Sequence, residues 1–418
     1  MIKVLPSEIS GTIKINPSKS ITQRAYAIAS LCNEKSVILN PSNSDDSLSS
    51  LNIVKGMGSI VERYENSVEI IGLKREVKEK FNCNEAGLCI RMFTPILSLF
   101  EKEIEITGKN SLLKRPVGMM VKPLERLGVI LETNNGYPPI KIKGKLKGGY
   151  TEVDGSITSQ FLTGLLIALT QVEENSEIKV KNLTSKPYID LTLDLLEKTG
   201  VTIENRNYET FFIKPKKLKP LNIKVEGDFS SACFMLVSGA IGGKVRVENL
   251  NPDSKQADRE ILNILLQSGC KIKIGENFIE TEQSTIRNFE IDVTNCPDIV
   301  PSIIPLGAKG EKPSKIYGIS RLRFKESNRV EGLIEEFSKI GVKIEADENS
   351  MTVYPSNIIG GKADSRNDHR LAMALAVCGL VSKNGVEIEN YKCVSKSYPN
   401  FFEDLRKLKG KVIIEGGK

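Results

Sequence analysis

The chain contains no tryptophan, one histidine and few aromatic residues, and each shortage excludes a class of function. Aromatic residues make up 6% of the 418 positions, which is poor material for a surface that stacks on nucleic-acid bases. The single histidine, His369, cannot build a histidine-based metal site alone. The eight cysteines form no CxxC pair, so neither a zinc nor a redox signature is present, and we expect reduced thiols.

Long apolar runs and nucleotide-binding motifs are also absent. No segment approaches the ~18 apolar residues of a membrane span, and residues 1–6 lack the apolar core of a signal peptide. The sequence has no GxxxxGK[ST], which excludes a P-loop enzyme, and no complete GxGxxG that opens a helix. We therefore expect a soluble, cytoplasmic protein without a membrane partner. Its net charge of +7 suits anionic small molecules as well as nucleic acid.

A repeat organises the chain into six similar segments. Six glycines in the context of a helix C-cap recur at intervals of 69 to 72 residues. They are Gly58, Gly128, Gly200, Gly269, Gly341 and Gly410. Each segment contains an apolar helix, a short alternating strand, a two-faced helix ending at the glycine, and a further strand. We expect the apolar helices to be buried and the two-faced helices to be exposed to solvent on one side.

The helix and strand positions follow from this pattern. The apolar helices are predicted to begin near Ser20, Glu85, Ser159, Ser230, Asp298 and Asp368. The strands after them are predicted at 36–39, 103–106, 177–180, 244–247, 315–317 and 386–388. Six units divide naturally into two domains of three, with the break in the Lys- and Pro-rich residues 214–220 and the strand after them. We expect the N-terminal strand to pair with the C-terminal half, which gives domains of 1–14 plus 226–418 and of 15–225.

Basic residues gather at the starts of both the apolar and the two-faced helices, where the helix dipole is already positive. The set comprises Lys19, Arg24, Arg115, Lys325, Arg329, Arg370 and Lys396. Any one of them is compatible with a solvated loop, and Ser159 or Asp298 with a plain helix cap. Together they indicate a site for a multiply charged anion. Asp298 and Glu326 are the only acids recognised among them, which suggests acid–base chemistry on a phosphorylated substrate.

Ten segments in order resemble the EPSP synthase family of enolpyruvyl transferases. They are PSKSITQR, EAGLCIR, KRPVG, DGSITSQFLTGLL, SKPYIDLTLDLL, EGDFSSACF, Pro-Asp before an apolar helix, RFKESNR, NDHRLAMALA and KSYPNFFEDL. The resemblance implies an α/β (α+β) protein of two domains, each an inside-out α/β barrel of three βαβαββ repeats whose buried parallel helices are surrounded by sheets. It implies an active site in the cleft between the domains, no metal or organic cofactor, and a monomer.

The resemblance also implies the reaction, in which phosphoenolpyruvate gives its enolpyruvyl group to the 5-hydroxyl of shikimate 3-phosphate and phosphate is released. It assigns shikimate 3-phosphate binding to Lys19, Ser20, Arg24, Thr158, Ser159, Gln160, Ser185, Asp298 and Lys325. It assigns phosphoenolpyruvate binding to Lys19, Gly87, Arg115, Gln160, Arg329, Arg370 and Lys396. Asp298 is the predicted base, and Glu326 or Lys19 the predicted acid.

Four positions depart from the usual family pattern, and two other functions remain open. Glu85 and Arg321 stand where many members have Asn, Thr158 replaces Ser, and Asn328 replaces an acid. One alternative is the sister enzyme that acts on UDP-N-acetylglucosamine, which typically carries a reactive cysteine where this chain has Asn110. The more distant alternative is a non-catalytic basic protein that binds nucleic acid.

Overall fold

The computed structural model describes residues 1–72 and 76–414. Residue contacts divide the chain into unit 1, Met1–Pro17 with Glu226–Lys418, and unit 2, Ser18–Val225. The predicted segment 226–418 includes residues 415–418, which lie outside the described residues. The first boundary was expected between residues 14 and 15 and lies between 17 and 18, because Pro17 pairs with Gly227 through an antiparallel bridge.

The helices and strands of the described residues alternate in a regular order. The strands are β1 (Ile2–Leu5), β2 (Ile9–Lys14), β3 (Ser36–Leu39), β4 (Ile60–Arg63), β5 (Ser67–Ile71), β6 (Lys80–Asn82), β7 (Ile104–Thr107), β8 (Ile130–Asn134), β9 (Tyr137–Lys143), β10 (Gly149–Asp154), β11 (Ser176–Lys181), β12 (Glu204–Arg206), β13 (Thr210–Ile213), β14 (Asn222–Lys224), β15 (Gly243–Glu248), β16 (Lys271–Ile274), β17 (Phe278–Glu282), β18 (Glu290–Asp292), β19 (Ser314–Tyr317), β20 (Ile344–Ala346), β21 (Ser350–Val353), β22 (Gly361–Asp364), β23 (Val386–Glu389) and β24 (Lys411–Ile414). The α-helices are α1 (Lys19–Ala29), α2 (Asp45–Gly56), α3 (Gly87–Leu97), α4 (Val121–Arg126), α5 (Gln160–Ala168), α6 (Lys186–Lys198), α7 (Phe229–Gly242), α8 (Ile261–Gln267), α9 (Val300–Ala308), α10 (Arg329–Ser338), α11 (His369–Leu380) and α12 (Phe401–Lys407).

The strands form six four-stranded sheets of one design, three in each unit. Unit 2 contains β14-β3-β5-β4, β6-β7-β9-β8 and β10-β11-β13-β12, and unit 1 contains β2-β15-β17-β16, β18-β19-β21-β20 and β22-β23-β1-β24. In β10-β11-β13-β12, for example, the first pair is parallel and the next two pairs are antiparallel. This arrangement confirms the predicted fold class and the βαβαββ repeat. In each unit, one sheet includes a strand from the opposite end of that unit's sequence. In unit 2, β14 pairs with β3, and in unit 1, β1 pairs with β23 and β24.

The first helix of each repeat is buried, as its composition predicts. All residues of α3, α9 and α11 are buried. A helix that is apolar around its whole circumference is most stable when every side of it is removed from water. The second helices have two faces: α6 buries Ile189, Thr192, Leu195 and Leu196 along one side and leaves the other partly exposed. The first helices begin within two residues of the predicted positions, so their N-termini carry the expected side chains.

The glycine caps are confirmed at five of the six predicted positions. Gly58, Gly128, Gly200, Gly269 and Gly341 have φ between 75° and 91°, the left-handed conformation that ends a helix at low cost for glycine. The prediction is wrong for Gly410, because Lys409 takes this conformation, with φ 70°. At position 410 the structure instead leaves no room for a side chain, since a Cβ there would lie 2.8 Å from Leu405 O.

Candidate active site

In unit 1, the starts of three helices bring the predicted acids and bases together. Asp298 lies in a 3-10 turn, Pro297–Ile299, directly before α9. Arg329 is the first residue of α10, and Asp368 caps α11 through a hydrogen bond from the Arg370 N–H at 3.0 Å. α9 and α11 are the first helices of successive repeats and α10 is the second helix between them, and the side chains at their starts converge.

Arg329 is the centre of this group. Its guanidinium is buried and contacts three carboxylates: Nη1 lies 2.9 Å from Asp298 Oδ1, Nη2 lies 2.5 Å from Glu326 Oε2, and Nε lies 2.7 Å from Asp368 Oδ2. Charge-assisted bonds of this kind are short and directional. Removing one partner of a buried ion pair typically costs about 3–5 kcal/mol, so Arg329 holds Asp298 and Glu326 in fixed positions.

Asp298 also contacts two further cations. Its Oδ1 lies 3.1 Å from Lys325 Nζ, and its Oδ2 lies 3.3 Å from Arg370 Nη2. Burial disfavours the charged form, but Arg370, Lys325 and Arg329 outweigh it and hold the pKa of the Asp298 carboxyl well below its usual range. The Asp298 side chain keeps 23% of its surface exposed, so it is both ionised and accessible.

The pKa values of Lys325 and Arg329 shift in opposite directions, although burial lowers both. Burial lowers the pKa of Lys325 to about 8, because Asp298 and Glu326 offset only part of the desolvation, while the positive charge of Arg329 adds to it. Burial acts in the same direction on Arg329, but Asp368, Glu326 and Asp298 outweigh it and raise the pKa of that guanidinium. Lys325 is therefore the residue of this group whose charge changes in the weakly alkaline range.

In unit 2, the predicted residues lie at the starts of α1, α3 and α5. Ser18 caps α1 by accepting the Ile21 N–H at 3.4 Å. Lys19 follows it, and its Nζ lies 2.9 Å from Oδ2 of Asp46 in the first turn of α2. The sequence analysis missed this acid, which lies in an ordinary position for a helix start.

Arg24 is held by neutral oxygens and is almost fully buried. Its Nε donates to Thr192 Oγ1 at 3.0 Å, its Nη1 to Ser20 O at 3.0 Å, and its Nη2 to Thr163 Oγ1 at 3.4 Å. The ring of Tyr188 lies 5.7 Å from its Cζ. Burial lowers the pKa of Arg24 to about 10, so the guanidinium remains charged at neutral pH.

The Arg115 guanidinium lies directly over Gly87 at the start of α3. A Cβ at Gly87 would be 2.5 Å from Arg115 Nη1, far inside van der Waals contact. One turn further on, Arg91 donates from Nη1 to Gln160 Oε1 and from Nη2 to Pro116 O, both at 2.9 Å. Arg91 thus joins α3 to α5 and to the segment that carries Arg115.

The remaining predicted residues are placed within their own units. Thr158 Oγ1 accepts the Gln160 N–H at 3.2 Å, and Ser159 occupies the N-cap position of α5 without a side-chain cap bond. Ser185 precedes α6 in the left-handed conformation, with φ 57°. Lys396 is buried and ends the 3-10 helix Tyr391–Lys396 before α12. Among the residues the structure describes, no group of three or more His, Cys, Asp or Glu side chains could hold a metal ion, and no helix has the length and apolarity to cross a membrane.

Comparison with known proteins identifies the family. The profile of "EPSP synthase (3-phosphoshikimate 1-carboxyvinyltransferase)" matches residues 5–405. This chain belongs to the EPSP synthase family. The 3-phosphoshikimate 1-carboxyvinyltransferase of Clostridium novyi is 38% identical over 98% of this chain and 97% of the relative. That of Clostridium kluyveri is 37% identical over 98% of each.

Solved structures share the fold of this EPSP synthase family member. An EPSP synthase from Acinetobacter baumannii matches with a TM-score of 0.83 at 23% identity, over 99% of both chains. The enolpyruvyl transferase NikO from Streptomyces tendae matches with a TM-score of 0.80 at 16% identity, over 99% of this chain and 98% of that one. Both likenesses concern the arrangement of helices and strands.

Three of the positions that depart from the family pattern have local structural partners. Glu85 accepts hydrogen bonds from Asn110 Nδ2 at 2.9 Å and from Ser111 Oγ at 2.8 Å, which fixes the segment leading to Arg115. Asn328 caps α10 by accepting the Glu331 N–H at 3.4 Å. The Arg321 guanidinium donates to Thr294 O. These side chains are therefore built into loops that carry the predicted site residues.

The expectation that Asp298 and Glu326 are the only acids near these cations is wrong. Asp46 contacts Lys19, and Asp368 contacts Arg329. Both acids lie in the first turn or at the cap of a helix, where acids are common for reasons of helix stability alone. Position in the sequence therefore gave no sign of their second role.

Proposed function

We propose that this chain transfers the enolpyruvyl group of phosphoenolpyruvate to the 5-hydroxyl of shikimate 3-phosphate and releases phosphate. The observation that supports this most is the pair of carboxylates Asp298 and Glu326, held by the one guanidinium of Arg329. The reaction takes a proton from a hydroxyl and adds a proton to a vinyl carbon, so it needs two such groups. Membership of the EPSP synthase family supports the same reaction.

The basic residues of both units are proposed to bind the anionic groups of the substrates. For shikimate 3-phosphate we propose Lys19, Ser20, Arg24, Thr158, Ser159, Gln160, Ser185, Asp298 and Lys325. For phosphoenolpyruvate we propose Lys19, Gly87, Arg115, Gln160, Arg329, Arg370 and Lys396. Arginine suits these roles because its planar fork matches a carboxylate or a phosphate, and Gly87 lets the backbone at the start of α3 approach the ligand.

The first step is an addition. The 5-hydroxyl oxygen forms a bond to C2 of phosphoenolpyruvate and loses its proton to Asp298, while C3 receives a proton from Glu326 or Lys19. Positive charge develops on C2 as C3 is protonated, and carboxylates nearby stabilise it. Each positioned proton transfer contributes roughly 10²–10⁴ to the rate.

The second step is an elimination. The bond between C2 and the phosphate oxygen breaks, C3 returns a proton to Glu326 or Lys19, and the double bond re-forms as an enolpyruvyl ether. Lys19, Arg115 and Lys396 neutralise the departing phosphate, which takes up the proton that Asp298 accepted and leaves as hydrogen phosphate. The protein side chains are thereby restored to their initial protonation states, and the scheme uses no metal or organic cofactor.

Asp298 is expected to become a better base when phosphoenolpyruvate binds. In the free protein, Arg370, Lys325 and Arg329 hold the pKa of this carboxyl well below its usual range, and a carboxylate so stabilised accepts a proton poorly. An anion on Arg329 and Arg370 offsets part of their charge. The basicity of Asp298 therefore rises at the stage of the reaction that requires it.

A phosphate-release assay tests the function. Purified protein should release phosphate when phosphoenolpyruvate and shikimate 3-phosphate are both present, and not with either alone. Release with UDP-N-acetylglucosamine in place of shikimate 3-phosphate would favour the sister activity, and no release with either acceptor would contradict the proposal. Mass spectrometry of the product should show the enolpyruvyl ether.

Three further properties are proposed with this function. The protein is expected to act as a monomer, in the cytoplasm, without a metal. Sedimentation velocity at assay concentration tests the first, and fractionation of expressing cells the second. Dialysis against a chelator should leave phosphate release unchanged, and a loss that added divalent metal restores would contradict the third.

A further inference from the structure

Arg91 is a buried arginine of unit 2 to which the proposed function gives no role. It lies one turn after Gly87 in α3, and 2% of its surface is exposed. Its Nη1 donates to Gln160 Oε1 and its Nη2 to Pro116 O, both at 2.9 Å. Gln160 is the first residue of α5 and is one of the residues proposed to bind both substrates. Arg91 therefore contacts a residue of the candidate site directly.

The positions of Arg91 and Gln160 are fixed by close packing between their helices. A Cβ at Gly164, one turn after Gln160, would lie 2.8 Å from Met92 Cα, so the backbones of α3 and α5 approach each other closely. Thr158 Oγ1 accepts the Gln160 N–H at 3.2 Å and holds the start of α5. The contact between the guanidinium and the amide is therefore set by the packing of two helices.

This contact determines which end of the Gln160 amide faces the guanidinium. A glutamine amide has an accepting oxygen and a nitrogen that donates, whereas a guanidinium has donors only. If the amide were reversed, donors would face each other and the buried guanidinium would lose a partner, which is costly. Arg91 therefore holds Oε1 on its own side and directs Nε2 away from itself. Among the residues that the structure describes, none accepts a hydrogen bond from Gln160 Nε2.

An amide nitrogen suits the substrates proposed for this site. Shikimate 3-phosphate and phosphoenolpyruvate present phosphate and carboxylate oxygens, which accept hydrogen bonds and repel other acceptors. A Gln160 side chain that presents Nε2 binds such an oxygen, whereas one that presents Oε1 opposes it. The orientation of one amide thus decides between attraction and repulsion.

We propose that Arg91 is a positioning residue for Gln160, and that it holds the amide oxygen so that the amide nitrogen is presented to the substrates as a donor. The inference rests on the proposed function, in which Gln160 binds both substrates. Arg91 acts through Gln160 and not by contact with either substrate. Without Arg91, the amide oxygen of the free protein turns toward solvent, and binding of an anion must turn it back against an apolar neighbour.

A double-mutant cycle between Arg91→Met and Gln160→Met tests this through the KM for phosphoenolpyruvate at saturating shikimate 3-phosphate. Methionine keeps an apolar side chain at each position and has no donor. Each single variant should raise this KM by about tenfold, as expected when one hydrogen bond to a charged group is lost or opposed. If Arg91 acts through Gln160, the double variant should lie within about threefold of Gln160→Met, far below the product of about 10²-fold.

Two readouts distinguish positioning from a purely structural role. Partial unfolding reduces the concentration of active enzyme, and hence the apparent kcat, but leaves KM unchanged, so a fall in kcat alone would contradict the inference. Additive effects in the cycle would overturn it as well, because Arg91 would then act independently of Gln160. The control is Arg126→Met, which removes the same charge from an exposed residue of α4 and should keep the wild-type KM.

Gln160→Glu tests the contact without a change at Arg91, and it serves also if Arg91→Met does not fold. The carboxylate accepts the same bond from Nη1 and pairs with the buried charge, so this variant should melt at or above the wild-type temperature near neutral pH. Toward the substrates it presents an acceptor, so the KM for phosphoenolpyruvate should rise at least as much as in Gln160→Met. A melting temperature well below that of Gln160→Met, or a wild-type KM, would refute the inference.

The outcomes separate this inference from the proposed function. If wild type releases phosphate from the two substrates but the cycle is additive, the inference is wrong while the function stands. If wild type releases no phosphate, the proposed function fails, and the inference fails with it because Gln160 then has no proposed substrate to bind.

Discussion

The two units hold buried arginines in different ways. In unit 1, Arg329 and Arg370 contact carboxylates at 2.5 to 3.3 Å. In unit 2, Lys19 contacts the Asp46 carboxylate at 2.9 Å, but Arg24 and Arg91 donate to hydroxyl, amide and carbonyl oxygens. A carboxylate orients a guanidinium and cancels its charge, whereas a neutral oxygen orients it and leaves the charge available.

This difference suggests a division of labour. Unit 1 has ionisable groups whose charges depend on one another, which is the property that proton transfer requires. Unit 2 has fixed cations in a fixed geometry, which is the property that recognition of a phosphate or carboxylate requires. Unit 1 should therefore respond most to changes of charge, and unit 2 to changes of shape. The predictions below test this contrast.

The largest effect is expected from Asp298→Asn in unit 1. The amide has nearly the same shape but cannot accept the hydroxyl proton, so we expect kcat to fall by at least about 10²-fold while both substrates still bind. Steady-state phosphate release measures kcat, and equilibrium binding of shikimate 3-phosphate checks the site. Glu331→Gln, an exposed acid in the first turn of α10, is the control. Near-normal turnover in Asp298→Asn would remove Asp298 as the base.

The corresponding test of shape in unit 2 is Gly87→Ala. The added methyl group would lie 2.5 Å from Arg115 Nη1, so the guanidinium must move. Losing one charge-assisted hydrogen bond of about 1.5–3 kcal/mol should raise the KM for phosphoenolpyruvate by roughly 10- to 10²-fold, with a smaller change in kcat.

A double-mutant cycle with Arg115→Ala tests the cause. If Gly87→Ala acts by displacing Arg115, it should add little once that side chain is removed, and the two effects should be strongly non-additive. Additive effects would mean that the methyl group disturbs the start of α3 in another way, and the assignment of shape sensitivity to this contact would be withdrawn.

Local features of the fold could be predicted from the sequence. The apolar helices and five of the six glycine caps depend on residues within one turn of each other, and both were found. The cap at Lys409 could not be predicted. Because α12 ends at Lys407, the left-handed position falls on Lys409 rather than on Gly410, and a lysine is not a residue type that indicates this conformation.

The partners of the site residues could not be predicted, because they come from distant positions. Arg370 and Asp298 are 72 residues apart and Arg24 and Thr192 are 168 apart. A sequence shows which charges exist, but the pairing of a cation with Asp46 or with a threonine hydroxyl is decided by how the helices pack. That pairing is what distinguishes the two units, so the contrast between them emerged only from the structure.

The next effect concerns pH and should come from unit 1. Burial lowers the pKa of Lys325 to about 8, so Lys325 is charged below pH 8 and loses its charge above it. The KM for shikimate 3-phosphate should therefore rise by about tenfold between pH 7 and pH 9. Lys325→Arg, which stays charged, should flatten this rise. Burial lowers the pKa of Arg24 only to about 10, so Arg24 in unit 2 stays mostly charged over this range. An unchanged profile in Lys325→Arg would contradict the assignment.

The smallest effect should come from the neutral oxygens of unit 2. Thr192→Val keeps the shape of the side chain but removes the hydroxyl that accepts from Arg24 Nε at 3.0 Å. Arg24 stays charged yet is less well oriented, so we expect a two- to threefold rise in the KM for shikimate 3-phosphate and a loss of about 1 kcal/mol in the free energy of unfolding. Thr199→Val is the matched control, since that buried hydroxyl donates to Leu196 O at the end of the same helix. Both variants should lose similar stability by denaturant titration, and only Thr192→Val should change KM; equal KM values in the two variants would show that Arg24 does not depend on its neutral partners for orientation.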